Sequence, residues 1–277
     1  MTIMTRIHEI PSVSEIVRGL RNKVRLPFPV FRLFSRGKEQ FECPVCKYKG
    51  PFADFYGFAG NRKHAMCPQC GALERHRLQY LVLISIMNRM NVSGRNMLHF
   101  APEAFFSKMF SERFAGYETA DLYMKGVNHK VDLQNLPFND ATYDVVYASH
   151  VLEHISDDRK AIQEISRVLK PNGVAVLPVP IVCEKTIEYP SANPYEAGHV
   201  RAPGLDYFEK YKEFFDEIEV YASNQFPEKY QLFMYEDRAI WPTRDCPLRP
   251  PMQGKRHPDF VPVCFKTLSP FSVLSGH

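Results

Sequence analysis

Apolar positions along this chain switch between two periods. From Leu78 to Met90 they recur at the three- and four-residue spacing of a helix face, and Ala104–Phe114 and Asp157–Leu169 repeat it. Short strand-like runs lie between and after them: Asn96–Ala101, Glu118–Leu122, Tyr143–Ser149 and, after a Pro171-Asn172-Gly173 turn, Val174–Val179. Strands alternating with helices predict βαβ units and a parallel sheet, in which a ligand lies beyond the carboxyl ends of the strands. The pattern then loosens to a helix over Asp206–Phe215 and strands over Glu217–Ala222 and Phe260–Lys266. Between those strands, residues 225–259 hold six Pro and the single Trp. That stretch is too long for a structureless loop and reads as a lid or wall over a site.

The start of the chain has a different character. Residues 1–40 carry eight Lys/Arg against three acids, and Val13, Ile16, Val17, Leu20 and Val24 repeat at helical spacing until Pro27 and Pro29 end the helix. Its apolar side would pack on the protein itself, or its basic side would hold it weakly at an anionic membrane surface through residues 12–36. The expected division is therefore a basic helical segment over 1–40, a cysteine-bearing segment over 41–77 and an α/β domain over 78–277.

Composition narrows the function classes. With 277 residues, 45% hydrophobic and 24% charged, the chain can bury a sizeable core, and wholesale disorder is excluded. No run reaches the roughly 18 apolar residues of a membrane span, and the first residues lack an apolar leader. A net charge of +4 is too mild to argue for nucleic acid by itself. Seven Cys, four of them in two tight pairs, suggest metal in a reducing compartment and hence a cytoplasmic protein.

Cys43-Pro-Val-Cys46 and Cys67-Pro-Gln-Cys70 form C-x2-C-x20-C-x2-C. Two such knuckles set four thiolates tetrahedrally around zinc in a closed site, so the metal would contribute folding energy and no chemistry. Gly71 follows the second pair, where the knuckle turns back. Cys183, Cys246 and Cys264 are scattered and read as unpaired.

Three acids frame a second site. Asp121 ends a strand about 20 residues after the preceding one, where an acid accepts hydrogen bonds from ribose hydroxyls. Asp132 follows at a spacing that also suits cofactor contact, whereas Asp144 at the head of a strand reads as a turn or cap.

The runs Asp132-Leu133-(x)3-Pro137-Phe138, Tyr143-Asp144-Val145-Val146, His150-Val151-Leu152-Glu153-His154-Ile155 and Glu164-Ile165-(x)2-Val168-Leu169-Lys170-Pro171-(x)-Gly173 resemble a class I S-adenosylmethionine-dependent methyltransferase. With Cys70, Gly71, Arg75, His76 and Arg77, the resemblance is to the methyltransferase type 11-like subgroup that has an N-terminal four-cysteine zinc segment. It implies a Rossmann-like seven-stranded sheet with a small zinc-knuckle domain before it. Asp121, with Leu122, would hold the ribose, Asp132 and Leu133 would read the adenine edge, and Ser149 and His150 would border the methionine portion. One departure stands out: the loop after the first strand reads His99-Phe100-Ala101-Pro102-Glu103 and has no glycine. Phe100 and Ala101 would then make the close approach, and Glu103 would face the cofactor's ammonium group.

Methyl transfer to a hydroxyl benefits from a general base, and His150, His154 and His199 are candidates. Glu153 and His154 could equally order a loop beside the cofactor. A third reading is a second divalent metal held by His150, Glu153, His154 and His199. Glu153, Tyr195, Arg201 and Trp241 are the expected acceptor contacts. The leading expectation is O-methylation of a small molecule such as a sugar or biosynthetic intermediate. The alternatives are an RNA or protein methyltransferase that reads its substrate with the zinc segment, and a scaffold that keeps the fold without binding cofactor. Residues 41–77 hold only six Lys/Arg beside three acids, which disfavours nucleic acid.

Overall fold

A computed structural model describes residues 37–57 and 60–267. The basic helix expected over 12–36, and any membrane contact through it, lie outside the described residues. No helix among the described residues is long and apolar enough to cross a membrane.

The cysteine segment is built from two small hairpins. Strands β1 (Phe41–Glu42) and β2 (Lys49–Gly50) pair around the first knuckle, and β3 (Ala53–Gly57) pairs with β4 (Gly60–Met66) before the second. Among the described residues their common core is Phe41, Tyr48, Phe52 and Ala72 around Cys43 and Cys67, with Val45 and Phe105 packed against it. So little apolar area cannot offset the entropy of ordering these loops, which is the physical case for a metal here.

Helix α1 (Glu74–Met90) leaves the second knuckle directly and lays Leu78, Val82, Leu83, Ile86 and Met87 on one face. It starts four residues earlier than the apolar period predicts, because its first turn buries Glu74 and Arg77 and apolar spacing cannot register buried charges. The chain then runs through β5 (Asn96–Phe100), α2 (Ala104–Ser111), β6 (Gly116–Asp121), β7 (His129–Lys130), β8 (Tyr143–Ala148), α3 (Asp158–Val168) and β9 (Leu169–Val176). A side hairpin, β10 (Ile187–Asn193) and β11 (His199–Ala202), precedes β12 (Glu217–Ala222); a short pair, β13 (Met234–Tyr235) and β14 (Arg256–His257), precedes β15 (Phe260–Phe265).

The main sheet has seven strands in the order β12-β15-β9-β8-β5-β6-β7. Strands β5 to β9 are parallel where they pair, and β15 runs antiparallel to both β9 and β12. Both faces are covered, so β8 is buried at every position and reads as a continuous apolar run. Val145 and Tyr147 face the core under α1 and α2, while Val146 and Ala148 face the core under α3. Asp144 does what a cap would: its carboxylate takes the Asn96 amide (2.9 Å) and Lys170 Nζ (2.7 Å), with Arg95 at 3.2 Å, at the end of the sheet away from the ligand edge.

Two local readings differ from the outcome. Pro171-Asn172-Gly173 is a kink within β9: Asn172 takes φ 60° and the register against β8 shifts. Gly173 is required there, since a Cβ would meet the Lys170 carbonyl oxygen at 2.8 Å. The helix expected at Asp206–Phe215 is a 3-10 helix over Leu205–Glu213.

The 225–259 stretch closes the seam between cysteine segment and sheet. The Tyr230 and Gln231 carbonyls accept from Arg77, and Gln231 Nε2 donates to the His64 carbonyl (3.0 Å).

Beneath the ligand edge, His99 is buried among Phe110, Tyr117 and Tyr147, with Nδ1 2.9 Å from the Tyr117 hydroxyl. Burial pushes its pKa down to about 4, from about 6.5 in the unfolded chain. Between those values only the unfolded state takes the proton, so stability falls as pH drops from about 6.5 towards 4. At about 1.4 kcal/mol per pH unit the loss is roughly 3 kcal/mol. His99→Gln should flatten that part of the urea-midpoint profile against pH; an unchanged slope would assign the acid sensitivity to other groups.

Candidate functional site

The carboxyl ends of β5, β6 and β8 meet at one edge of the sheet. After β5 the chain turns through Ala101 at φ 47°, the left-handed region that favours glycine. Alanine tolerates that conformation at about 1–2 kcal/mol. The loop therefore keeps a glycine-type shape without glycine, fixed by the Ala101 amide on the Ala120 carbonyl (3.0 Å). Phe100 itself is buried in the core, so only its backbone is available to a ligand.

Asp121 ends β6. One carboxylate oxygen accepts the Tyr123 and Met124 amides, both at 2.7 Å, which leaves the other oxygen for a ligand. Leu122, Tyr123 and Met124 beside it are exposed large apolar side chains. Asp132 holds the Gln134 amide (2.9 Å) and side-chain amide (3.2 Å), and Leu133 turns into the core. At the end of β8 the Ser149 hydroxyl donates to Gln79 Oε1 (3.3 Å), which also accepts from Tyr147 (2.8 Å).

The cysteine segment reaches this edge through Arg75 and His76, for which the sequence offered a family motif but no contact. Glu103 Oε1 lies 3.1 Å from His76 Nε2 and 3.4 Å from Arg75, and His76 Nδ1 in turn accepts the Leu73 amide (3.2 Å). Burial alone would raise the Glu103 pKa, but His76 and Arg75 outweigh it and hold the carboxylate ionised. Its Oε2 is buried without a partner. The signal available in the sequence was the Arg75-His76-Arg77 run itself, which has no apolar period to explain it.

Cys43, Cys46, Cys67 and Cys70 converge, with all four sulfurs within 4.8 Å of one another. Cys43–Cys70 and Cys46–Cys67 are 3.7 and 3.6 Å apart. Zn–S bonds of about 2.3 Å at tetrahedral angles require about 3.8 Å between sulfurs, which those two distances match, so the donor set fits zinc.

A third cluster follows β8. His150 sits at φ 55°, with its amide on the Pro178 carbonyl (2.9 Å), and its Nδ1 is 3.3 Å from Glu153 Oε1. Glu153 is fully buried, yet neither of its oxygens has a hydrogen-bond partner. Burial would raise its pKa; His150, His199 and His154 together outweigh that and lower it. Burial lowers the His154 pKa. The His154 and His199 rings lie edge to face, 4.7 Å apart. Glu153, His154 and His199 offer ligand atoms within 4.8 Å of one another.

Residues 107–177 match a family model described as a methyltransferase domain. That stretch is 71 of the 277 residues, and it lies in a sheet whose strand order and reversed β15 are of the class I methyltransferase kind. A sterol 4-C-methyltransferase of Caenorhabditis elegans is 50% identical over 42 residues, 15% of this chain and 13% of that protein. An uncharacterized methyltransferase of Bacillus subtilis is 42% identical over 40 residues, 14% of this chain and 16% of that protein. The matched stretches thus span well under a fifth of these relatives. The crystal structure of the N-methyltransferase NodS from Bradyrhizobium japonicum, with S-adenosylhomocysteine, aligns over 69% of this chain and 87% of that one at TM-score 0.43 and 14% identity.

In the methyltransferase domain, two expected acceptor contacts have other work. Arg201 is buried, and its guanidinium is spent on Glu188, on the Leu152 and Ile155 carbonyls (2.7 and 2.6 Å) and on the Ser156 carbonyl (3.0 Å). It clamps β11 to the turn after β8 and cannot reach an acceptor. Trp241 is buried under Arg249, whose guanidinium lies 4.6 Å from the ring. It packs, and does not stack on a ligand. Arg249 donates to Glu196 (2.8 Å), and Glu196 Oε2 faces His199 Nδ1 at 3.6 Å. Burial opposes ionisation of Glu196, but His199 and Arg249 hold its pKa down to about 2. Tyr195 is exposed next to this group.

Proposed function

We propose that this chain transfers a methyl group from S-adenosylmethionine to a hydroxyl of a small molecule. The observation that carries this reading is the cluster of His150, Glu153, His154 and His199 at the end of β8, beside the strand ends suited to the cofactor. The fit of those strand ends rests on the free Asp121 oxygen, the partnerless buried Glu103 oxygen and the close-turning Ala101 backbone. Asp121 would hold the ribose hydroxyls, Asp132 and the Leu133 backbone the adenine edge, and Glu103 the ammonium group.

When bound, S-adenosylmethionine supplies an electrophilic methyl, whose bond to sulfur breaks with the electron pair going to sulfur as the acceptor oxygen bonds to carbon. The chain's own contribution is alignment, which can supply about 7–11 kcal/mol, and a place for the hydroxyl proton. An imidazole of His150, His154 or His199 takes that proton, and the buried Glu153 stabilises the imidazolium that results. General-base assistance of this kind is worth roughly 10²- to 10⁴-fold. Small-molecule hydroxyls suit the site better than nucleic acid, because the cysteine segment carries no basic-aromatic stripe.

Asp121→Ala removes a charge-assisted pair of hydrogen bonds, each worth about 1.5–3 kcal/mol. The expected result is a rise of roughly 10²- to 10⁴-fold in the Kd for S-adenosylhomocysteine, read by calorimetry. An unchanged Kd would remove the ribose assignment.

A further inference from the structure

We propose that Glu153, His154 and His199 bind one divalent transition-metal ion, separate from the four-cysteine site, leaving coordination positions open to an acceptor with two neighbouring oxygens. The ion itself does not depend on the methyl-transfer reading; the acceptor class does.

The donor set is two imidazoles and one carboxylate, the combination that holds zinc, manganese, iron or cobalt at three positions and leaves the others exchangeable. The ligand atoms are already within 4.8 Å of one another. Ligands about 2.1 Å from one ion lie roughly 3–3.5 Å apart, so the three must draw in slightly. His154 can do so at little cost, because its side chain is exposed at the mouth of the cluster.

Glu153 is the second observation. It is wholly buried, and neither oxygen has a hydrogen bond; His150 Nδ1 faces it at 3.3 Å. A buried carboxylate in that condition costs several kcal/mol unless a cation faces it. An ion between Glu153 and the two imidazoles supplies that charge.

The surroundings are those of a supported ligand set. His199 Nδ1 is buried without a hydrogen bond, 3.6 Å from Glu196 Oε2; with an ion on Nε2, a small closure would let that carboxylate orient the ring and raise its basicity. Glu196 is itself held by Arg249 (2.8 Å) and the Tyr189 hydroxyl (3.2 Å), with Trp241 beneath Arg249. Arg201 clamps β11 onto the Leu152–Ser156 turn, so His199 and His154 come from two elements that are tied together. Ala197 and Gly198, both at positive φ, turn the chain to present His199. Arg201, Arg249 and Glu196 are thus positioning residues.

An ion here would occupy His154 and His199, draw two adjacent oxygens of a diol or hydroxy acid and make the bound hydroxyl more acidic, which leaves His150 as the imidazole that takes its proton near neutral pH.

The test uses the full chain with its cysteine-bound zinc in place, titrated with cobalt(II) chloride and followed by calorimetry and visible absorption. The expected result is saturable uptake of one further equivalent, with ligand-field bands and without the sulfur-to-metal absorption that a thiolate site gives. His154→Ala, at an exposed position, and His199→Ala should abolish that uptake while S-adenosylhomocysteine still binds. Glu196→Gln should weaken it roughly 10- to 100-fold, an effect that mere packing at His199 would not produce. No further equivalent in protein that binds S-adenosylhomocysteine overturns the proposal, as does an equivalent that survives both histidine substitutions. Uptake without S-adenosylhomocysteine binding supports the ion and removes methyl transfer.

Discussion

Cys67→Ser protein is expected to lose its zinc and most of its soluble yield, and the fraction that remains folded should bind S-adenosylhomocysteine weakly. The first effect follows from the size of the cysteine segment's core, which is too small to hold two hairpins without the roughly 10–16 kcal/mol that a structural zinc contributes in small peptides. The second follows from geometry. The second knuckle runs straight into α1, whose first turn carries Arg75 and His76, and these fix Glu103 on the cofactor side of the β5 loop. Melting the knuckle releases that carboxylate. Zinc content by mass spectrometry, with titration of the surviving protein, measures both. A zinc-free variant with full stability and unchanged affinity would show that the segment is neither metal-dependent nor coupled to the loop.

Arg77→Met is expected to destabilise the whole chain by about 3–5 kcal/mol, the cost typical of removing one partner from a buried charged network. Arg77 is wholly buried; it donates to the carbonyls of Ala65 (2.8 Å), Ala72 (2.7 Å), Tyr230 (2.9 Å) and Gln231, and its guanidinium lies 4.4 Å from the Phe52 ring. Burial pushes its pKa down to about 10, so it remains charged at neutral pH, opposite the buried Glu74. Methionine matches the length of the side chain but leaves those carbonyls without a donor and removes a buried positive charge near Glu74. Because the acceptors come from the cysteine segment and from the 225–259 stretch, loss should appear in both. Denaturant unfolding measures the change. A shift under about 1 kcal/mol would mean that water replaces the guanidinium at that seam.

Much of the architecture was readable in the chain. YDVVYAS announces a strand buried on both faces, and β8 is buried throughout. The cysteine spacing led directly to four converging sulfurs. The strand ends at Asp121 and Ala101 lie where the alternation of elements puts a ligand.

Buried polar contacts were not readable in the same way. Arg77, Gln79 and Glu103 bind carbonyls, hydroxyls or imidazoles from distant parts of the chain, and no periodicity marks such a residue. Arg201 and Trp241 illustrate the converse. Their position near the site follows from the sequence, but whether a guanidinium faces a ligand or three carbonyls depends on tertiary packing. The grouping of His154 with His199 was one of three readings the sequence offered, and β11 folding back against the turn after β8 brings the two rings together.

Every role proposed for these residues rests on S-adenosylmethionine binding at the edge formed by β5, β6 and β8. Calorimetric titration of purified protein with S-adenosylmethionine and S-adenosylhomocysteine, with zinc measured on the same sample, tests it most directly. Saturable binding of both, at one site per chain and with a Kd on the order of micromolar, is expected. No heat of binding from either, in folded and zinc-loaded protein, would contradict it and leave a scaffold with a methyltransferase fold.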